Sequence, residues 1–210
     1  MSKVIYRDIN KKDYEDIKNL ICEAFGFDKF IKNEELLDIT TALYLQECIE
    51  DSSFSKIAEK DNKVIGMILG KSNNDKLIVP EIDKKDLINE DVARTIMANE
   101  ENIMIIKEFS KIQNTYKEII AGKEDTFQGC IQLFIVSKES RGLGIGKKLL
   151  SYLFEYMKSR EVNSMYLYTD TRCNYKFYDS QNFKCLSEKE LIFDSINEKL
   201  DVFLYGYKFN

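Results

Sequence analysis

Ile131-Gln-Leu-Phe-Ile-Val136, then Ser137-Lys-Glu-Ser140, then Arg141-Gly-Leu-Gly-Ile-Gly-Lys147 is the stretch from which the rest of the chain can be read. The apolar run 131–136 reads as a buried strand. After the turn, apolar residues recur at Ile145, Leu149, Leu150, Leu153, Phe154 and Met157, the spacing of one helix face. The order is therefore strand, glycine-rich turn, helix.

Such a turn has a physical use. Glycine lacks a Cβ, so backbone N–H groups can approach a bulky anion. The first N–H groups of a helix have no partner within it, and the aligned peptide dipoles leave about half a positive charge there. Together they form a seat for phosphate or diphosphate. Arg141 and Lys147 flank it. A Walker loop needs four residues between its first glycine and Gly-Lys, followed by Ser or Thr. Here three residues separate Gly142 from Gly146, and Lys148 stands where the hydroxyl belongs. Gly142, Gly144 and Gly146 alternate, so the dinucleotide spacing Gly-x-Gly-x-x-Gly is also absent. A tight strand-to-helix turn with no ligand is the plain alternative.

Arg141-x-x-Gly144-x-Gly146 behind a strand ending in Val136 resembles the diphosphate-binding motif of the GNAT superfamily of N-acetyltransferases, which use acetyl-CoA. A second stretch carries the same resemblance. Members often show an Asn opening a short helix, a Tyr four residues on, and then Gly-Phe. Asn174, Tyr178 and Phe183 match, and Asn182 replaces the glycine. Asn tolerates the left-handed backbone that a helix stop requires. The resemblance covers nearly the whole chain outside 73–128. It implies an α/β (α+β) fold with a mixed, mostly antiparallel sheet, a parallel strand pair at the cofactor cleft and flanking helices.

Composition fits that class. At 210 residues the chain is the size of one domain, read here as 1–210 with a helical insertion at about 73–128. Net charge is −5 and there is no basic run, which argues against nucleic acid as the main partner. No run of about 18 apolar residues exists, so no membrane span is expected. The first residues carry no signal-peptide core, and the expected compartment is the cytoplasm. Cys22, Cys48, Cys130, Cys173 and Cys185 include no Cys-x-x-Cys pair and read as reduced thiols; no metal site is expected. The chain has no histidine, which removes Ser-His-Asp and Cys-His schemes.

In chain order, 3–7 reads as a strand and Asn10 as a helix cap with Asp13 in the first turn. Tyr14, Ile17, Leu20, Ile21, Ala24 and Phe25 form a helix face ending at Gly26. A second helix spans about 34–49. In the resemblance these helices wall the acceptor side; a plain core role fits each residue equally well. Strands 54–60 and 63–71 flank Asp61-Asn62, a hairpin signal. Within the insertion, 86–99 reads as an irregular helix. From 102 to 120, Ile105, Phe109, Ile112, Tyr116 and Ile119 recur at steps of three and four, and Gly122 ends the pattern. Segment 73–128 holds 12 acidic and 8 basic residues, hence −4 of the total −5. It reads as an acidic wall favouring a cationic amine, or as a solvated face or a homodimer contact. Strand 164–169 would run parallel to 131–136 through a right-handed crossover. Strands 184–188 and 201–209 close the sheet.

The resemblance implies a mechanism: direct acetyl transfer from acetyl-CoA to a primary amine, here of a small cationic molecule. Phe134 and Val136 would offer backbone hydrogen bonds to the pantetheine arm. Arg141, Gly142, Leu143, Gly144, Ile145, Gly146 and Lys147 would hold the diphosphate. Asn174 would contact the cofactor arm, and Tyr178 would be the general acid. A packing role for Tyr178 and a capping role for Asn174 are the structural alternatives. Cys173 beside Asn174 is a nucleophile by chemistry but has no visible activation. Glu59, Asp170 and an acidic residue of 73–128 are candidate bases, with water as the alternative. The competing functions are transfer to a peptide or protein amine, and acyl-CoA sensing without turnover.

Overall fold

The computed structural model describes residues 3–80, 94, 100–193 and 198–209. Its elements are β1 (Ile5–Arg7), α1 (Tyr14–Phe25), α2 (Phe27–Phe30), α3 (Glu34–Glu50), β2 (Phe54–Lys60), β3 (Lys63–Ser72), α4 (Glu100–Ile120), β4 (Gly129–Val136), α5 (Ile145–Ser159), β5 (Ser164–Asp170), α6 (Lys176–Ser180), β6 (Lys184–Phe193) and β7 (Glu198–Lys208). The irregular helix expected over 86–99 lies outside the described residues apart from Arg94.

Local chemistry fixes several boundaries. Asn10 caps a 3₁₀ turn at Lys11–Asp13, and Asp13 reaches back to the Asn10 N–H at 2.8 Å, a reciprocal capping box. Gly26 ends α1 in the left-handed conformation, its N–H on the Cys22 carbonyl. Asp61 and Asn62 both take positive φ in the β2–β3 hairpin. Asn182 has φ 65°, which lets α6 stop and β6 begin.

The seven strands form one sheet in the order β1-β2-β3-β4-β5-β7-β6. Every neighbouring pair is antiparallel except β4 and β5. Helix α5 makes the crossover between that parallel pair and covers one face, burying Leu149, Leu153 and Met157 completely. Each such burial stabilises the fold by about 1.5–3 kcal/mol. A Cβ at Gly70 on β3 would lie 2.4 Å from Leu153 Cδ1, so glycine there lets the helix seat on the sheet. The opposite face carries two clusters. Ile17, Ile21, Leu45 and Ile49 of α1 and α3 pack on Met67, Leu69, Leu133 and Ile135. Ile119 and Ile120 of α4, with Ile112 and Tyr116, pack on Leu200, Val202 and Leu204 of β7 and Leu191 of β6.

Strand β6 runs to Phe193, five residues past the expected end at 188, and β7 begins at Glu198 rather than 201. The added β6 residues, Lys189-Glu-Leu-Ile-Phe193, lie on an edge strand. Most of β6 is solvent-exposed, so the period-2 signal of a half-buried strand is weak there.

Candidate active site

Between β4 and β5 the ladder is short. Gly129 pairs with Met165 and Cys130 with Tyr166, and the register ends there. Yet β4 continues to Val136 and β5 to Asp170. Beyond Cys130 the two strands part, leaving backbone groups on their facing edges for a ligand. A bulge helps: Leu69 opposes Leu133 and Gly70 opposes Ile131, so Gln132 is the extra residue on β4. A cleft of about 1050 Å³ opens over this split.

At one end of the cleft lies the glycine turn. Gly142 and Gly144 have φ 81° and 77°, and a Cβ at either would meet nothing within 4 Å. The backbone is thus held in a conformation that suits glycine, with open space before it. Gly144 is the N-cap of α5, so the first N–H groups of that helix point to this end. Arg141 and Lys147 line the same end. Backbone donors, helix dipole and two cations make a seat that fits a diphosphate.

Most of the other expected residues join that seat along the same cleft. Phe134, Val136, Ile145, Gly146, Asn174 and Tyr178 line it. Leu143 is not among the lining residues, and its side chain is 62% exposed. Gly146 has ordinary contacts in prospect, 3.5 Å from Phe134 and Phe177. The capping reading of Asn174 fails: Tyr175 is the N-cap of α6 and no side-chain cap bond is made. The Asn174 carbonyl takes the Phe177 N–H at 3.0 Å, while its side chain is exposed on the cleft.

Tyr178 is 9% exposed, packed edge-on against Phe134, Phe177 and Phe183. Among the described residues its hydroxyl has no hydrogen-bond partner, and the oxygen is not one of the fully buried polar atoms. Burial, then the nearby Cys173 and Asp170, raise its pKa well above the ordinary phenol value, so it holds its proton at neutral pH. Burial likewise pushes the Cys173 thiol up to about 12, with Asp170 adding to the shift. Cys173 is therefore no thiolate nucleophile near pH 7.

Of the candidate bases, Asp170 lines the cleft. Glu59 does not: it binds Arg7, which also holds Asp13 at 2.7 Å, on the β1–β2 edge of the sheet. None of the described acidic residues of 73–128 lines the cleft. The insertion contributes Gln113, Tyr116, Lys117 and Ile120 instead. Glu47, Glu50 and Asp51, at the end of α3, are the other carboxylates of the cleft, and sequence reasoning missed them. One signal was available. Three acids at the C-terminal, negative end of a helix with no base in its last turn oppose the helix dipole. Tyr166 and Tyr168 share one face of β5 and pack toward α4, where Tyr168 stacks on Tyr116 at 4.1 Å and 4°.

No group of His, Cys, Asp or Glu among the described residues is placed to hold a metal ion. No described helix is long and apolar enough to cross a membrane.

The splayed parallel strand pair over a glycine-capped helix is the arrangement that the sequence resemblance implies for an acyl-CoA-binding transferase. The chain matches the family model "Acetyltransferase (GNAT) family" over residues 14–183, and it belongs to that family. It is an acetyl-CoA-dependent N-acetyltransferase. The chain has the fold of solved relatives at low identity. It is similar to ribosomal-protein-alanine N-acetyltransferase from Brucella melitensis (16% identity, 98% of this chain and 99% of that one, TM-score 0.56). It is similar to Arabidopsis thaliana NAA60 in complex with a bisubstrate analogue (17%, 99% and 99%, 0.57). A third is aminoglycoside 6'-N-acetyltransferase complexed with coenzyme A (13%, 97% and 96%, 0.54). Comparison with curated proteins gives no match.

Proposed function

We propose that residues 1–210 act as one catalytic domain that transfers acetyl from acetyl-CoA directly to a primary amine of a small cationic molecule. The continuous seven-stranded sheet supports one domain, with 73–128 as a helical insertion. The observation that carries the reading is Tyr178: a nearly buried tyrosine whose hydroxyl has no partner among the described residues, on the wall of the cleft that starts at the glycine turn.

Acetyl-CoA supplies the acyl group as an activated thioester. The backbone of residues 141–147, with the Arg141 and Lys147 side chains, binds the diphosphate. The unpaired edge of β4 at Phe134 and Val136 offers backbone hydrogen bonds to the pantetheine arm and the thioester oxygen. Asn174 holds the arm from the far side. Asp170 takes the proton released by the attacking amine, directly or through water. The new C–N bond forms as the C–S bond breaks, and Tyr178 gives its proton to the departing sulfur. Asp170 then returns a proton to Tyr178, which closes the cycle. In water a phenol would give its proton to a thiolate only uphill. In this site burial penalises the charge that develops on the departing sulfur, so the sulfur takes the proton as the C–S bond breaks.

The acidic end of the cleft and the wall formed by α4 support a small cation over a folded protein as acceptor. Five unpaired thiols support a cytoplasmic location. The test is thiol release from acetyl-CoA against small amines, aminoglycosides, amino acids and peptides. Turnover with small amines is expected; turnover with peptides alone would replace this acceptor class. Binding of acetyl-CoA without turnover on any amine would make the protein a sensor.

A further inference from the structure

Away from the glycine turn, two cationic side chains line the cleft, Arg172 and Lys117. Neither makes an ion pair or a side-chain hydrogen bond among the described residues. Arg172 is held in place all the same. Its backbone N–H donates to the Asp170 carboxylate at 2.8 Å. Its guanidinium lies 5.4 Å from the ring centres of both Phe30 of α2 and Phe193 of β6. Aromatic rings engage a guanidinium through its face, and its in-plane N–H groups stay free to donate. Phe193 packs with Ile119 and Ile120 of α4, so this guanidinium belongs to the acceptor side, the sheet face opposite α5.

Helix α4 presents the second base. Gln113, Tyr116, Lys117 and Ile120 follow helical spacing and form its row on the cleft. That row holds hydrogen-bond donors and no carboxylate, although segment 73–128 carries −4. Glu118, beside Lys117, turns instead to Lys189 of β6. A plain alkylammonium ion would meet repulsion from two unpaired bases and give them no partner. A carboxylate on the acceptor satisfies them, and a guanidinium fork matches it with two parallel N–H···O bonds. We propose that the acceptor is a free amino acid. Arg172 binds its carboxylate, Lys117 adds charge from the α4 wall, and its primary amine reacts beside Tyr178. A dibasic amino acid is the member of this class with net positive charge, and it fits the small cationic acceptor described above. The proposal rests on the acetyl-transfer reading and uses the transfer step written there. Asp170, the base of that step, is bonded to the Arg172 backbone, so base and fork come from one turn.

The experiment compares initial rates of acetyl transfer to the common amino acids and ornithine, to the amide of each, to O-phosphoethanolamine and to butylamine. It is run on the wild-type chain and on Arg172→Gln. The best amino acid is expected to have a kcat/KM at least about tenfold above that of its own amide. In Arg172→Gln that preference falls through a raised KM for the amino acid, while the KM for acetyl-CoA holds. A guanidinium that only clasps Phe30 and Phe193 would weaken acid and amide alike, so a preference that survives the substitution overturns the proposal. Equal kcat/KM for acid and amide in the wild-type chain overturns it whether or not the variant folds. Faster turnover of O-phosphoethanolamine than of every amino acid assigns the fork to phosphate and overturns it as well. So does transfer to butylamine with none to any amino acid. Those failures leave acetyl transfer to amines standing. Binding of acetyl-CoA with no transfer to any of these amines overturns both readings.

Discussion

The two ends of the cleft are built by different means. At the glycine turn the backbone does the work. Positive φ at Gly142 and Gly144, a helix N-terminus and two flanking cations lie within residues 141–147. At the acceptor end side chains do the work, and they come from three elements far apart in sequence: Glu47, Glu50 and Asp51 of α3, Tyr116 of α4, and Tyr166 and Tyr168 of β5. A ligand part common to a whole family can be held by backbone that any compatible sequence supplies. A ligand part that varies must be read by side chains, and those are brought together only by the fold.

The sharpest way to break this comparison is at Tyr178, where the two ends meet. Tyr178→Phe removes the hydroxyl and leaves the ring packing against Phe134 and Phe183. We expect kcat to fall about 10²–10³-fold, the range of acid catalysis, with acetyl-CoA affinity within about twofold. An unaltered kcat, measured by thiol release, removes the acid role.

Next in size is the backbone end itself. Gly144→Asp places a charge before the diphosphate seat in a conformation that Asp tolerates. The KM for acetyl-CoA should rise about 100-fold, as expected for a like charge a few ångströms away in a partly dry site. Gly144→Asn, uncharged and equally tolerant of the conformation, should weaken binding far less. Equal losses for the two would make the defect steric rather than electrostatic.

At the acceptor end, Tyr116→Ala removes the stacked partner of Tyr168. The amine KM should rise about tenfold, the loss of a cation–π contact of about 1–2 kcal/mol, with acetyl-CoA KM unchanged. The opposite split would assign α4 to the cofactor.

Smaller still is the response to alkali. Burial, more than any neighbouring charge, raises Cys48 and Cys173 from 9.0 to about 12 and Cys130 to about 11. It raises Tyr178 above its ordinary 10.0. These groups keep their protons longer in the native state than in the unfolded chain. Stability is therefore level below about pH 9 and falls as pH rises from there through the folded values. Melting temperatures at pH 8 and pH 10.5 check this, and equal values would contradict the burial. The smallest effect is outside the cleft. Glu59→Gln weakens the Arg7 contact on the sheet edge and should cost under about 1 kcal/mol with turnover unchanged.

How far the sequence reached follows the same division. The turn 141–147, the Asp61–Asn62 hairpin, the Gly26 stop and the Asn10 cap are signals within a few residues, and each stands as expected. Glu59 looked as eligible for the site as Asp170, because burial partners such as Arg7 lie 52 positions away. Glu47, Glu50 and Asp51 reach the cleft only because α3 packs over β4, which no pattern within the helix shows. Asn174 matched a helix-opening position, yet the N-cap is the next residue, Tyr175, and the helix runs from Lys176. Where β6 is a solvent-exposed edge strand, apolar alternation is weak, and its length was underread.

The most direct measurement is calorimetric titration of coenzyme A, and of pantetheine lacking the diphosphate, into the wild-type chain and Gly144→Asp. The account predicts that the wild-type chain binds coenzyme A about 100-fold more tightly than pantetheine and that the variant loses that advantage. Equal affinities for the two ligands in the wild-type chain, or an advantage that survives in the variant, would contradict the claim that residues 141–147 seat the diphosphate.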